Sequence, residues 1–273
     1  MAYPDYLSLS RRIVNGGAKV NKFGLNEAVG TTYEAITTLG VYRQPQPASA
    51  TPLRVKAGGN TADAPTGAGA RSVVLQGINA LGEFITETIP TGVAGAAGAQ
   101  SARSFIRLFR CFVGASGTYA NQVGTESHAA DIVIENAAGT EDWATIEFGS
   151  VIAKGQSSIG CYTVPKGFTA YITDLIFSID ANKPADLLLM QRQNLTNATP
   201  PYSPRRTIEE YIGIAGTVDI AFRVPIGPFP EFTDILSYTR VTQGTAAVSI
   251  GLDIVLFNEG VRNRQITPEE SIV

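Results

Sequence analysis

The chain has 273 residues, 44% apolar and only 16% charged, with 28 glycines, 15 prolines and a net charge of −3. That length supports one large or two ordinary domains, and the slight acidity excludes a global electrostatic drive toward nucleic acid or an anionic membrane. No apolar run approaches the roughly 20 residues that cross a bilayer, and the single histidine excludes histidine-rich metal sites and paired-histidine catalysis.

Residues 1–34 read as an extended arm. Tyr3, Tyr6, Leu7, Leu9, Ile13 and Val14 are sticky but follow no clean period, and Asn15-Gly16-Gly17 breaks the segment. Alone, such a segment cannot bury enough surface to offset its chain entropy. Against a neighbour in an assembly, or across its own subunit, it can. Tyr3, Tyr6, Leu7, Leu9, Arg11, Arg12 and Ile13 are the expected assembly contacts. The opening MAYPDYLSLSRRIVNGG lacks the basic start and sustained apolar core of a secretory signal. A soluble protein made in a cytoplasm is therefore expected.

From Ile36 onward short β-like runs alternate with turn clusters. Ile36 to Tyr42 is the first, ended by Gln44-Pro45-Gln46-Pro47, and Leu53 to Lys56 the second, closed by Gly58-Gly59-Asn60. Arg71 to Ile78 and Glu83 to Ile89 follow, separated by a turn at Asn79 to Gly82. The loop Gly92 to Ala99 is glycine-rich but lacks the lysine and hydroxyl residue of a phosphate loop. Arg103 to Val113, Asp131 to Glu135 and Ala144 to Ile152 are further strands. Gly155 to Ile179 holds two β-rich runs joined by Pro165-Lys166-Gly167, where proline pre-sets φ and glycine takes the positive φ such turns need. Pro204 to Ile214 is the best helix candidate. Val218, Ile220, Phe222 and Val224 alternate with Asp219, Ala221 and Arg223. Val248, Ile250, Leu252, Ile254 and Leu256 share one face of Thr245 to Phe257. About a dozen such runs predict an all-β fold of sandwich or jelly-roll-like domains. The expected division is an arm over 1–34, sandwiches over 35–150 and 151–258, and a polar tail over 259–273.

Residues equipped for chemistry are scattered. His128 sits in a loop-like stretch, TESHAAD, without a nucleophile-elbow signature, and is expected to be a solvated side chain. Cys111 and Cys161 are expected to be two buried thiols, a disulfide between them being the alternative. Glu141-Asp142, Glu209-Glu210 and Glu269-Glu270 are adjacent carboxylates, which on a strand point to opposite faces and make no two-carboxylate site. No Asp-x-Asp-x-Asn calcium loop appears. Arg205-Arg206 and Arg262/Arg264 read as surface or subunit contacts, Asn194-Leu195-Thr196 as a chance glycosylation match, and Trp143 as a core residue. No catalytic residue, metal ligand or cofactor is expected.

Five segments stand out together: KFGLNEAVGTTYEAI (22–36), GAGARSVVLQGINALGEFITETI (67–89), RSFIRLFRCFVG (103–114), QSSIGCYTVPKGFTAYITDL (156–175) and PIGPFPEFTDI (225–235). In this order they resemble a family of tailed-bacteriophage, podovirus-like virion structural proteins. The likeness spans about residues 20–257, and its motifs are structural. It departs at Thr37-Thr38-Leu39-Gly40, where the family carries a tryptophan-rich stretch. The resemblance implies a non-enzymatic virion component built of β-sandwiches and working as a homo-oligomer, made in the host cytoplasm, without nucleic-acid or membrane partners. Three readings follow. The first is a capsid decoration or cement protein, expected as a trimer, with the major capsid protein or neighbouring virion proteins as partners. The second is a tail component such as an adaptor, nozzle or fibre base. The third is a carbohydrate-binding module, disfavoured by the single tryptophan.

Overall fold

In the computed structural model, which describes residues 17–38, 49–93, 96–149, 153–195 and 203–262, four antiparallel sheets form two sandwiches. Strand accounts for 57% of the structure and helix for 3%. The all-β class expected from the turn-punctuated runs is the class found.

The first sandwich is discontinuous in sequence. One of its sheets is ordered β1 (Gly17–Val29), β16 (Ala246–Asn258), β11 (Phe168–Ile179), β14 (Thr217–Phe229). The other is ordered β10 (Tyr162–Thr163), β15 (Asp234–Val241), β12 (Ala185–Arg192), β13 (Arg206–Ile214), with β2 (Glu34–Ala35) also paired to β15. The intervening chain makes the second sandwich. Its sheets are β6 (Ser104–Phe105), β3 (Thr51–Val55), β8 (Ile132–Asn136), β9 (Asp142–Ile146) and β5 (Phe84–Pro90), β4 (Ala70–Ile78), β7 (Arg107–Ser116). A four-residue helix α1 (Glu259–Arg262) follows β16.

This connectivity redraws the division expected along the chain. Residues 1–16 lie outside the described residues, but Gly17–Val29 is no arm: it runs antiparallel to β16 from Gly17 opposite Phe257 to Val29 opposite Ala246. The sandwich that closes the chain therefore begins with the first described strand. A β1 face carrying Val20, Lys22, Gly24 and Asn26 reads weakly as a strand because two of its four positions are polar and one has no side chain. Only the partner strand supplies the missing signal. The first expected run, Ile36 to Tyr42, is likewise not a strand where it is described; Thr37 makes one isolated bridge to Ile159.

The helix expected over 204–214 is also overturned. Ile208, Tyr211 and Ile212 have helical spacing, yet Arg206–Ile214 is β13, paired with β12 from Ala185–Ile214 to Gln191–Arg206. Thr207 and the three isoleucines favour a pleated surface, and pairing satisfies the backbone that an isolated short helix could not.

Alternation on β15 couples the two sandwiches. Ile235 enters the core with Leu187, Leu189, Ile172, Leu175, Phe177 and Ile254. Its neighbour Leu236 points the other way, into the core of Leu53, Leu75, Phe105, Ile134 and Trp143. Met190 and Tyr238 pack on that second core as well, so the sheet containing β15 is a shared middle layer. Residues 153–161 run between the sandwiches. Gln156 and Ser157 bridge to Phe112 and Ile146 on one side, and Ile159 to Thr37 on the other.

Pro165-Lys166-Gly167 turns as expected, with Gly167 at φ +79°. The strands it joins belong to different sheets: β10 pairs with β15 and β11 with β14 and β16. The turn is a corner between layers, not a hairpin.

Candidate assembly surface

The expected contacts Tyr3, Tyr6, Leu7, Leu9, Arg11, Arg12 and Ile13 lie outside the described residues, as do Thr196, Arg264 and Glu269-Glu270. The described residues with chemical potential are occupied in holding the fold. His128 is not solvated but 0% exposed. Its Nδ1 lies 2.8 Å from Ser127 Oγ, and its ring meets Phe148 edge-on at 5.9 Å. Burial lowers its pKa, although Asp63 nearby works against the shift. Asp63 itself accepts from the backbone N–H groups of Ala70, Ala129 and Ala130 at 2.9–3.0 Å. It pins the His128 loop to the start of β4. A loop histidine is buried here because a distant carboxylate ties its neighbours down, which no local signal shows.

Cys111 and Cys161 are free and buried, as expected. Desolvation pushes their thiols up to about 12 and about 11, which keeps them protonated and unreactive. Trp143 is buried, as expected. Asp142 pairs with Lys56 at 2.8 Å. Arg205 lies over the Tyr238 ring, 5.5 Å from its centroid, and Arg206 donates to Gln193 at 2.8 Å. Among the described residues no group of three or more His, Cys, Asp or Glu is placed to hold a metal ion, and no helix is long and apolar enough to cross a membrane.

Buried polar contacts join the sandwiches. Arg107 on β7 meets Asp234 on β15 through two bonds, Nε to Oδ1 at 3.2 Å and Nη2 to Oδ2 at 3.1 Å, both residues being buried. Thr163 donates to the same carboxylate at 2.7 Å, and Arg107 also donates to the Ile106 carbonyl at 2.7 Å. Lys22 on β1 is buried and donates to the Phe109 carbonyl on β7. Burial, reinforced by Arg110, pulls its amine down to about 7. Phe109 packs against Tyr162 with ring centroids 4.7 Å apart. Lys154 sits between Glu27 at 3.0 Å and Glu147 at 2.8 Å. Six charged residues, from β1, β7, β15, the crossing segment and the end of β9, are thus committed to this seam.

Among the described residues, one edge of the first sandwich has no such closure. β13 and β14 are terminal strands of its two sheets, joined by Ala215-Gly216. Ile208, Tyr211, Ile214, Ile220, Phe222 and Ile226 pack on the core but are only partly buried. Ile212 is 76% and Val224 82% exposed. The register slips between Ala221, opposite Asp174, and Ile226, opposite Ile172. Five residues of β14 span what two of β11 span, so the strand bulges around Val224. Sequence reading found the alternation of β14 but not its position at an edge. Monomeric sheets shield such edges; this one carries apolar side chains and, among the described residues, a row of open backbone groups.

No known protein-family profile matches the chain, and no curated protein sequence matches it. Solved structures offer a loose likeness. The infectious bursal disease virus Gt strain structure aligns over 90% of this chain and 73% of its own, at 12% identity and a TM-score of 0.23. The Gx strain structure covers 89% and 71% at 12% identity and 0.24. The VP2 subviral particle of the same virus covers 89% and 73% at 11% identity and 0.22. Scores this low do not establish a common fold.

Proposed function

We propose that the chain is a non-enzymatic structural component of a tailed-phage virion, a capsid decoration or cement protein acting as a homo-oligomer on the mature head. The supporting observation is the open apolar edge of β13 and β14, set in a protein whose buried charged groups are spent on rigidity. The resemblance of several segments to podovirus-like virion proteins supports the same reading. The mechanism is mass action: a binder selective for the mature lattice adds its binding free energy to that lattice's stability. Residues 1–16 supply the contact with the shell or an adjacent subunit, by strand addition or by apolar anchoring of Tyr3, Tyr6, Leu7 and Leu9.

Copy number tests the reading. Quantitative mass spectrometry of virions should give a count comparable to that of the major shell protein. A count far below it would move the chain to the tail as an adaptor, nozzle or fibre-base protein. A chain lacking residues 1–16 should fold but lose capsid binding; binding at full affinity would overturn the role given to the arm.

A further inference from the structure

We infer that the free edge of β14 is a self-complementary seam on which a second copy of this chain docks, antiparallel and two-fold symmetric about Ala221. The proposal rests on the homo-oligomer reading above and names its contact surface.

Among the described residues, β14 pairs on one side only, with β11. Along it, Val218, Ile220 and Phe222 are half-buried, Ile220 and Phe222 against the core, while Asp219, Ala221 and Arg223 are exposed on the other face. An isologous contact brings one surface against itself, so residue i meets j and j meets i. Pairing two β14 strands antiparallel about Ala221 sets Asp219 opposite Arg223 of the second copy, and Arg223 opposite its Asp219. The central alanine offers no bulk between the two ion pairs. On the other face the same register sets Ile220 against Phe222 and Val218 against Val224. The most exposed apolar residue of the edge, Val224, thereby gains a partner. Pro225, which cannot donate to a ladder, ends the pairing where the match ends.

The alternative edge strand does not offer this match. An antiparallel self-pairing of β13 about its centre sets Glu210 directly opposite Glu210 of the second copy, and like charges directly opposite are unfavourable. Opposite charges flanking an alanine at equal spacing make β14 the seam. The unit it builds is a dimer, in place of the trimer expected from the sequence.

Charge reversal tests the register without disturbing the fold, because Asp219 and Arg223 are both exposed. Sedimentation equilibrium on the full chain should show a dimer. Asp219→Arg alone and Arg223→Asp alone should each weaken it about tenfold or more, while circular dichroism stays native. Mixing the two single variants should restore dimer, since each then presents the charges the other lacks, and the double swap Asp219→Arg/Arg223→Asp should dimerise by itself. A wild-type monomer or trimer, or single variants that dimerise as well as wild type, would overturn the seam. Those results are read in solution without capsids, so they leave the virion copy number to judge the functional reading separately.

Discussion

At the scale of single residues, the most consequential group is the buried pair of Arg107 and Asp234. Neither charge is reachable by water, so removing one leaves the other desolvated and uncompensated. Asp234→Ala should cost about 3–5 kcal/mol in urea unfolding. Replacing both partners with apolar residues, as in Arg107→Met/Asp234→Leu, should cost clearly less, because no charge is then stranded. A double replacement as damaging as the single one would show that the pair contributes more than mutual neutralisation. Lys22 makes a separate prediction in pH. Its amine has a pKa of about 7 folded against 10.5 ordinarily. Between those values the unfolded chain holds a proton that the folded chain lacks, so stability rises with pH, by at most about 1.4 kcal/mol per unit. Cys111 and Cys161 act in the opposite sense, but only above their ordinary value of 9.0. The melting temperature should therefore climb from pH 7 to pH 9, and Lys22→Met should flatten that climb. An unchanged slope in the variant would remove Lys22 as its source.

At the scale of elements, β1 decides whether the first sandwich closes. It pairs along nearly its whole length with β16 and carries Gly24 close across the backbone of Ile36 and Gly160. A Cβ at Gly24 would meet the Ile36 carbonyl and lie 2.5 Å from the Gly160 nitrogen. Both obstacles are backbone and neither can swing aside. Gly24→Ala should destabilise by about 1–3 kcal/mol through overpacking, measured as a lower urea midpoint with unchanged slope. Truncation separates the strand from what precedes it: removal of residues 1–16 should leave the melting temperature close to wild type, whereas removal of residues 1–29 strips β16 of a partner and should abolish cooperative melting. Equal melting of the two truncations would mean that β1 adds nothing to the fold. The misread of 204–214 belongs to this scale too. Its apolar spacing fits a helix and its residue types fit a strand. The tie is broken by β12, which lies fourteen positions earlier in the sequence and alongside in space.

At the scale of the whole molecule, the two sandwiches share a middle layer and a buried ionic seam. Leu236 from the first sandwich, with Ile159 and Cys161 from the crossing segment, lies in the second core, and Ile78, Ile106 and Phe109 from the second sandwich lie in the first core. Neither core is complete without residues of the other. The molecule should therefore unfold in one transition, with calorimetric and van't Hoff enthalpies equal. Two resolved transitions would show that the sandwiches are energetically separate. The same interlocking gives the open β13–β14 edge its meaning: one side of the first sandwich is spent on the second sandwich, which leaves the opposite side for a partner.

Composition and local pattern by themselves determined the all-β class, the burial of Trp143 and both cysteines, the turn at Pro165 to Gly167 and most strands of the second sandwich. Those features depend on side-chain alternation and turn chemistry that act over a few residues. Tertiary structure alone decided that Gly17–Val29 belongs with the C-terminal strands, that Arg206–Ile214 is extended, that His128 is buried and that Arg107 finds Asp234. Each depends on partners tens to hundreds of positions away, and pairing across such distances leaves no periodic trace in the chain. The edge position of β14 is of the same kind, since a strand carries the same alternation whether its second side is paired or free.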